Sequence, residues 1–209
     1  MYDYERPLWQ REQCVTGTDE VGRGPLAGPV VCAAVVLDPE VTIEGLADSK
    51  TLSQGKREML DGLIRQHARA VSVVFINARE IDRINILQAT REGMKRAVES
   101  LPLDVDHVLV DALTLDIDTP QTSLIKGDQR SASIAAASIV AKVARDNHML
   151  AMAARYPAYG FDRHKGYPTK AHLAALDQHG VSPLHRRTFG PVAKRLKPHL
   201  SLEVTSDEN

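Results

Sequence analysis

Four acidic residues stand where elements of the sequence end. Asp19 and Glu20 are adjacent and precede a Gly-rich stretch, GRGPLAG at 22–28. Asp111 closes a short apolar run, and Asp128 follows Gly127 and precedes an Ala-rich segment. Acids at the carboxyl ends of strands lie at the sheet edge where α/β proteins bind ligands. Carboxylates gathered there repel one another unless a cation neutralises them. Hard divalent ions accept such oxygens, and two ions about 3.5–4 Å apart can clamp the attacking and leaving oxygens of a phosphodiester displacement. The chemistry this pattern allows is metal-assisted phosphodiester hydrolysis. Each acid alone also reads as a loop residue, a helix cap or a partner of a helix dipole. On a straight strand Asp19 and Glu20 point to opposite faces, so sharing one site requires a bend, which the glycines just after them permit.

The 22–28 loop lacks the GK[ST] ending of a P-loop, and the chain has no GxGxxG pattern. Glycines on both sides of Arg23 let backbone groups approach a sugar–phosphate closely, or simply close a tight hairpin. Metal-assisted hydrolysis needs no Ser–His–Asp or Cys–His arrangement, so Ser138, His148 and Cys32 read as packing residues. The eight histidines show no HExxH or Cys/His zinc spacing, and His164 and His172 read as structural or phosphate-facing.

Positioning these groups takes an alternation of strands and helices. Residues 30–37 (VVCAAVVL) form a continuous apolar run, a strand buried on both faces, with a partner strand around 14–18. Residues 53–68 carry Met59, Leu60, Leu63 and Ile64 on one face of an amphipathic helix. Residues 71–76 (VSVVFI) predict a third strand. Asn77 and Glu80 have capping spacing, and apolar residues from Ile81 to Leu101 recur as in one long helix that Pro102 ends. Short strands follow at 107–110 and 123–126. Residues 131–154 are helical by propensity, with small residues that let the backbone approach a sheet. Thr169 caps a helix over 170–179, closed by Gly180, and a last helix covers 192–200. The order predicts an α/β fold: a mixed β-sheet flanked by helices, with a helical C-terminal extension. The expected division is a core over 1–155, an extension over 156–201 that contributes to substrate binding, and a disordered tail over 202–209.

The 209-residue chain has 43% hydrophobic and 25% charged residues, an ordinary globular composition. Its two cysteines, Cys14 and Cys32, cannot build a disulfide framework. No run of 18 apolar residues exists, which argues against a membrane span. The charged start, MYDYERPLWQREQ, lacks the apolar stretch of a secretory signal, so a cytoplasmic setting is expected. Net charge is −1 but unevenly spread. Residues 1–119 hold 13 Lys and Arg against 20 Asp and Glu, and residues 120–209 hold 13 against 7. A metal site on the acidic side and a polyanion groove on the basic side would account for that asymmetry, and charge alone leaves chance an equal explanation. Lys50, Lys142, Arg145, Lys165, Lys170, Arg186 and Arg187 are the candidate phosphate contacts.

At these residues the chain resembles bacterial ribonuclease HII, the type 2 ribonucleases H. The matching stretches are GTDEVGRGPLAGPVV at 17–31, DSKTLS at 48–53, LVDA at 109–112, KGDQRSASIAAASIVAKVARD at 126–146, HKGYPTKAH at 164–172 and GVSPLHRRTF at 180–189. They keep family order across nearly the whole chain. The resemblance implies a ribonuclease H-like sheet. It implies hydrolysis of the RNA strand of RNA–DNA hybrids and incision 5′ of ribonucleotides embedded in duplex DNA, leaving 5′-phosphate and 3′-hydroxyl ends. It implies Mn²⁺ or Mg²⁺ at Asp19, Glu20, Asp111 and Asp128 as metal-site and catalytic acids. It implies that Gly22, Arg23 and Gly24 sense the ribose 2′-hydroxyl and that Tyr167 packs on the deoxyribose beyond an RNA–DNA junction. Two positions depart from the common pattern: Ala112 stands where many members have Gly, and Thr18 where relatives are often apolar, its side chain expected to face away from the metals. A monomer is expected. The competing readings are another metal-dependent nuclease, which needs neither the GRG loop nor Tyr167, and a non-catalytic nucleic-acid-binding module, which leaves the acids unexplained.

Overall fold

The computed structural model describes residues 1–196. The expected tail, the limit of the extension at 201 and the end of the last helix at 200 lie outside the described residues. After a short helix α1 (Arg6–Trp9) come strands β1 (Val15–Val21) and β2 (Val30–Val36), helix α2 (Gln54–His67) and strand β3 (Ala70–Ile76). Helices α3 (Ala78–Ile84) and α4 (Ile86–Glu99), strands β4 (His107–Asp111) and β5 (Gln121–Leu124) and helix α5 (Ala132–Arg155) follow. Helices α6 (Phe161–His164), α7 (Lys170–His179) and α8 (Gly190–Leu196) complete the described chain.

The strands form one mixed sheet in the order β3-β2-β1-β4-β5. Strand β2 pairs antiparallel with both β1 and β3, whereas β1–β4 and β4–β5 are parallel. Alternate side chains of β2 serve opposite faces. Val31, Ala33 and Val35 pack with α2 and α5, and Cys32, Ala34 and Val36 pack with α4. That double burial explains the unbroken apolar run. The first strand is longer than the run around 14–18 and carries Asp19 and Glu20 within it.

One expectation is corrected between 81 and 101. The apolar period there belongs to two helices, broken at Asn85. This residue adopts φ 67°, and its side-chain oxygen accepts hydrogen bonds from Leu87 and Gln88 N–H at 3.0 and 3.1 Å. Asparagine adopts a positive φ more readily than most residues and caps helices, so it both stops α3 and starts α4. The capping positions at Ser53, Asn77, Ser131 and Thr169 each accept from a backbone N–H of the following turn.

Helix α5 lies directly on β1. A Cβ on Gly17 would overlap the main chain of Ser133 and Ile134. The small residues at the start of α5 and Gly17 opposite them are therefore one device: they bring the helix close enough for its side chains to reach the end of β1. Glu5, fully buried, fastens the start of α5 through Ser131 Oγ at 2.6 Å and Ser133 N–H at 2.9 Å.

Beyond α5 the chain builds a smaller core of Tyr159, Phe161, Leu176 and Val192, which also takes in Leu26, Ala27 and Met149. A histidine chain threads it. His185 Nδ1 accepts from Ser182 N–H at 3.0 Å, so its proton sits on Nε2, which donates to His172 Nε2 at 3.0 Å. The His172 Nδ1–H then donates to the Tyr167 carbonyl at 2.9 Å. Only neutral imidazoles satisfy this order. Burial, reinforced by the neighbouring imidazole, pushes His172 below its ordinary range and His185 down to about 4.

Two outcomes follow. Gly17→Ala should destabilise the fold by about 1–3 kcal/mol or more in urea unfolding, because the methyl group displaces the helix backbone. The unfolded chain binds a proton on each histidine near pH 6.5, whereas folded His185 stays neutral down to about pH 4. Stability is therefore intact above pH 6.5 and falls as pH drops towards 4. The decline should be steeper in the wild type than in His185→Asn, and identical slopes would refute the neutral chain.

Candidate active site

The hydrogen-bond ladder between β1 and β4 ends at the Thr18–Val110 pair. Beyond it Asp19 and Glu20 extend along β1, and Asp111 is the last residue of β4. One carboxylate oxygen from each of Asp19, Glu20 and Asp111 lies within 4.8 Å of the others. The register of β1 with β2 continues through Asp19, Glu20 and Val21, and carboxylate oxygens of the two acids meet that of Asp111 at the edge that β4 leaves open. Thr18 points elsewhere, its hydroxyl donating to the Ala33 carbonyl at 2.8 Å.

Asp111 Oδ1 accepts from Gly127 N–H at 2.7 Å, which pins the turn Gly127–Gln129 to the end of β4. Asp128 on that turn is nearly buried, and it faces Asp48 and Asp111 rather than joining the group of three. Ala112, directly after Asp111, has φ 51°. Glycine takes that conformation without cost, and alanine pays roughly 1 kcal/mol for it. The one-methyl departure from the family pattern is thus a backbone matter.

The electrostatics are those of a site short of positive charge. Burial pushes Asp19 well above the carboxylate range, and the charges of Glu20 and Asp111 add to the rise. Burial raises Glu20 too, against the opposing pull of Arg23. Asp128 is raised by burial, then by Asp48 and Asp111, with Lys50 opposing. Burial works against the Lys50 ammonium, but Asp48, Asp19, Asp128 and Glu20 around it hold it above its ordinary value. Glu20 Oε2 is buried with no hydrogen-bond partner among the described residues. An orphaned carboxylate oxygen beside two more carboxylates suits a hard divalent cation.

A cleft of about 280 Å³ opens beside these acids, lined by Glu20 to Gly24, Ser49, Lys50, Ser138, Lys142 and Tyr167. Arg23 and Tyr167 are exposed in it, Tyr167 at 40%. Lys142 is paired with Asp146 at 2.7 Å. Two arginines expected at phosphates are placed otherwise. Arg145 and Arg186 are fully buried beneath the 22–29 loop, and their guanidiniums donate to main-chain carbonyls. A buried fork of this kind holds backbone instead of meeting a duplex. The backbone N–H of Arg187 donates to Asp82 at 2.8 Å, and Lys165 Nζ donates to the Asp162 carbonyl. His172 is structural, as described above.

Three residues escaped the sequence reading. Ser138 is not mere helix packing: its hydroxyl bonds Ser49 Oγ at 2.8 Å and lies against Asp19. Asp48 and Ser49 lie in the DSK stretch, whose Lys50 alone drew notice. The available signal was the placement of that stretch between β2 and α2, where a polar loop can close over the sheet end.

With this geometry in hand, comparison with known proteins is direct. The family model described as Ribonuclease HII matches residues 16–192. A ribonuclease HII of Dechloromonas aromatica is 57% identical over 183 residues, 87% of this chain and 93% of that protein. One from Halalkalibacterium halodurans is 52% identical over 193 residues, 92% of this chain and 73% of that protein. Among solved structures, the ribonuclease H2 of Pyrococcus horikoshii OT3 superposes with a TM-score of 0.73 at 29% identity, covering 86% of this chain and 95% of that one. The mixed sheet flanked by helices is thus a ribonuclease H-like fold, and the chain belongs to the ribonuclease HII family.

Proposed function

We propose that this endoribonuclease hydrolyses the RNA strand of RNA–DNA hybrids and incises 5′ of ribonucleotides embedded in duplex DNA, leaving 5′-phosphate and 3′-hydroxyl ends. The observation that carries the proposal is the convergence of Asp19, Glu20 and Asp111 at one end of a cleft that also holds the Gly22–Gly24 loop and Tyr167. Asp19, Glu20 and Asp111, with Asp128 beside them, would hold Mn²⁺ or Mg²⁺. Bound there, two such ions would activate water and stabilise the leaving oxygen. The orphaned Glu20 oxygen and the raised Asp19 and Glu20 carboxyls support that ligand set.

The chain's own residues do the rest. Asp111, fixed by Gly127 N–H, keeps one oxygen directed by the turn and leaves the other to coordinate. Lys50 and Lys142 place positive charge at the cleft for phosphates. Backbone around Gly22–Gly24 reaches the 2′-oxygen, the only group separating ribose from deoxyribose. Tyr167, 3.8 Å from where a side chain on Gly24 would begin, offers an aromatic face to the neighbouring sugar. The extension from residue 156 onward contributes to binding through Tyr167. No described helix is long and apolar enough to cross a membrane. One chain carries every group of the cleft, which supports a monomer.

The decisive experiment titrates Mg²⁺ and Mn²⁺ against cleavage of a DNA duplex with one ribonucleotide and maps the cut. Metal-dependent incision 5′ of the ribonucleotide is expected; cutting without divalent metal, or equal cutting of all-DNA duplex, overturns the assignment. Asp111→Asn keeps the acceptor for Gly127 N–H but loses the charge, so turnover should fall about a hundredfold or more while duplex affinity holds. Near-normal cleavage would remove Asp111 from the ligand set. Tyr167→Ala should slow cutting at a single embedded ribonucleotide about tenfold, the worth of one good aromatic contact. Rates unchanged at such a junction would leave Tyr167 a surface residue.

A further inference from the structure

The loop that faces the cleft is held from beneath by two arginines that form no salt bridge among the described residues. Arg186 donates from Nε to the Gly28 carbonyl at 3.0 Å, from Nη1 to the Arg23 carbonyl at 2.8 Å and from Nη2 to the Gly22 carbonyl at 2.6 Å. Its guanidinium also sits 5.0 Å from the Phe189 ring centre. Arg145 donates from Nε to the Pro29 carbonyl at 3.0 Å and from Nη2 to the Ala27 and Lys165 carbonyls at 3.3 and 3.0 Å. It also lies 5.7 Å from the Tyr167 ring centre. Burial, with Arg145's charge beside it, pushes Arg186 down to about 9, so it remains a cation at neutral pH.

Burying an arginine without a carboxylate is costly, and such a cation needs its donors satisfied: Arg186 leaves no buried nitrogen without a partner among the described residues, whereas Arg145 Nη1 has none. All three donations of Arg186 go to one short loop. In a trans peptide the C=O and N–H groups point in opposite directions. With the Gly22 and Arg23 carbonyls turned down onto Arg186, the N–H groups of Arg23 and Gly24 are turned up, away from it. Neither donates a hydrogen bond to another described residue. Pro25 has no N–H, and the Leu26 and Gly28 N–H groups are already committed to the Gly166 and Leu184 carbonyls at 2.8 and 2.9 Å. The Arg23 and Gly24 N–H groups therefore stand side by side on the cleft wall with no partner among the described residues. Gly22 has φ 99°, and a Cβ there would run into the Arg145 side chain, so the loop and its support fit only with glycine.

We propose that Arg186 is a positioning residue for ribose selectivity: its three-carbonyl grip presents the Arg23 and Gly24 N–H groups to the 2′-oxygen of a ribonucleotide. The proposal rests on the ribonuclease reading above and names what sets its selectivity. A planar fork is required, because a lysine ammonium cannot hold three carbonyls in one plane. Arg145 ties the same loop to the Tyr167 segment, so both sugar-facing elements move as one body.

The test compares wild type with Arg186→Lys and Arg186→Gln, each at a temperature where thermal melting shows it folded. Cleavage is followed on a duplex with one ribonucleotide and on the same duplex with a deoxyribonucleotide at that position. The ribose-to-deoxyribose rate ratio should fall at least about tenfold in both variants, with lysine no better than glutamine. Affinity for the all-deoxy duplex should stay within about twofold, since Arg186 meets no phosphate. An unchanged ratio in folded Arg186→Lys overturns the proposal. A wild type without ribose preference overturns the ribonuclease reading itself. Should neither variant fold, amide exchange in the wild type decides: the Arg23 and Gly24 N–H groups should be protected by the ribonucleotide duplex and not by the all-deoxy one, and equal protection by both refutes the assignment.

Discussion

The burial of Asp19 beside two partly buried carboxylates that repel it is the constraint around which this molecule is organised. Asp19, Glu20 and Asp111 bring oxygens within 4.8 Å of one another at the end of a buried sheet. Left alone, such a group would protonate or spring apart. The fold prevents the second outcome: β1 and β4 are locked in parallel register up to Thr18 and Val110, and Gly127 N–H holds Asp111. Helix α5 closes the arrangement from one side, and it can do so only because Gly17 offers no side chain against it. The remaining cost is electrostatic, and a divalent cation held there, as proposed above, would meet it.

A second layer of organisation surrounds the acids. Reading a sugar demands donors held still, because a 2′-hydroxyl contributes discrimination only where its partner cannot adapt to its absence. Main-chain groups serve that purpose when their other halves are anchored. The buried guanidiniums of Arg145 and Arg186 anchor five carbonyls of residues 22–29, and the histidine chain ending on the Tyr167 carbonyl steadies the opposite wall. The basic character of the C-terminal half thus divides into two uses. Part of it faces the cleft, and part is interior scaffolding with no contact to phosphate.

Much of this was legible from residue types and spacing. The apolar runs, the Asn77 and Thr169 caps and the small-residue helix marked the layers, and acids at element ends marked the candidate site. The break at Asn85 was hidden because a continuous apolar period looks the same whether one helix or two present it. Ser138 and Asp48 were hidden because each sits on an element distant in sequence from the acids it approaches. Arg145 and Arg186 were misplaced because a basic residue in a basic segment looks the same whether it points outward or inward.

Local chemistry is written along the chain, so the sequence by itself determined most of the strands and helices and which residues are acids at strand ends. Distances between remote segments are not so written. Whether Glu20 turns to the side of Asp19, whether Asp128 faces Asp48, and which arginines are buried under a loop depend on how the sheet edge, α5 and the C-terminal helices pack together. Only the tertiary structure decided them, because burial and the balance between like charges are properties of a shared volume rather than of neighbouring positions.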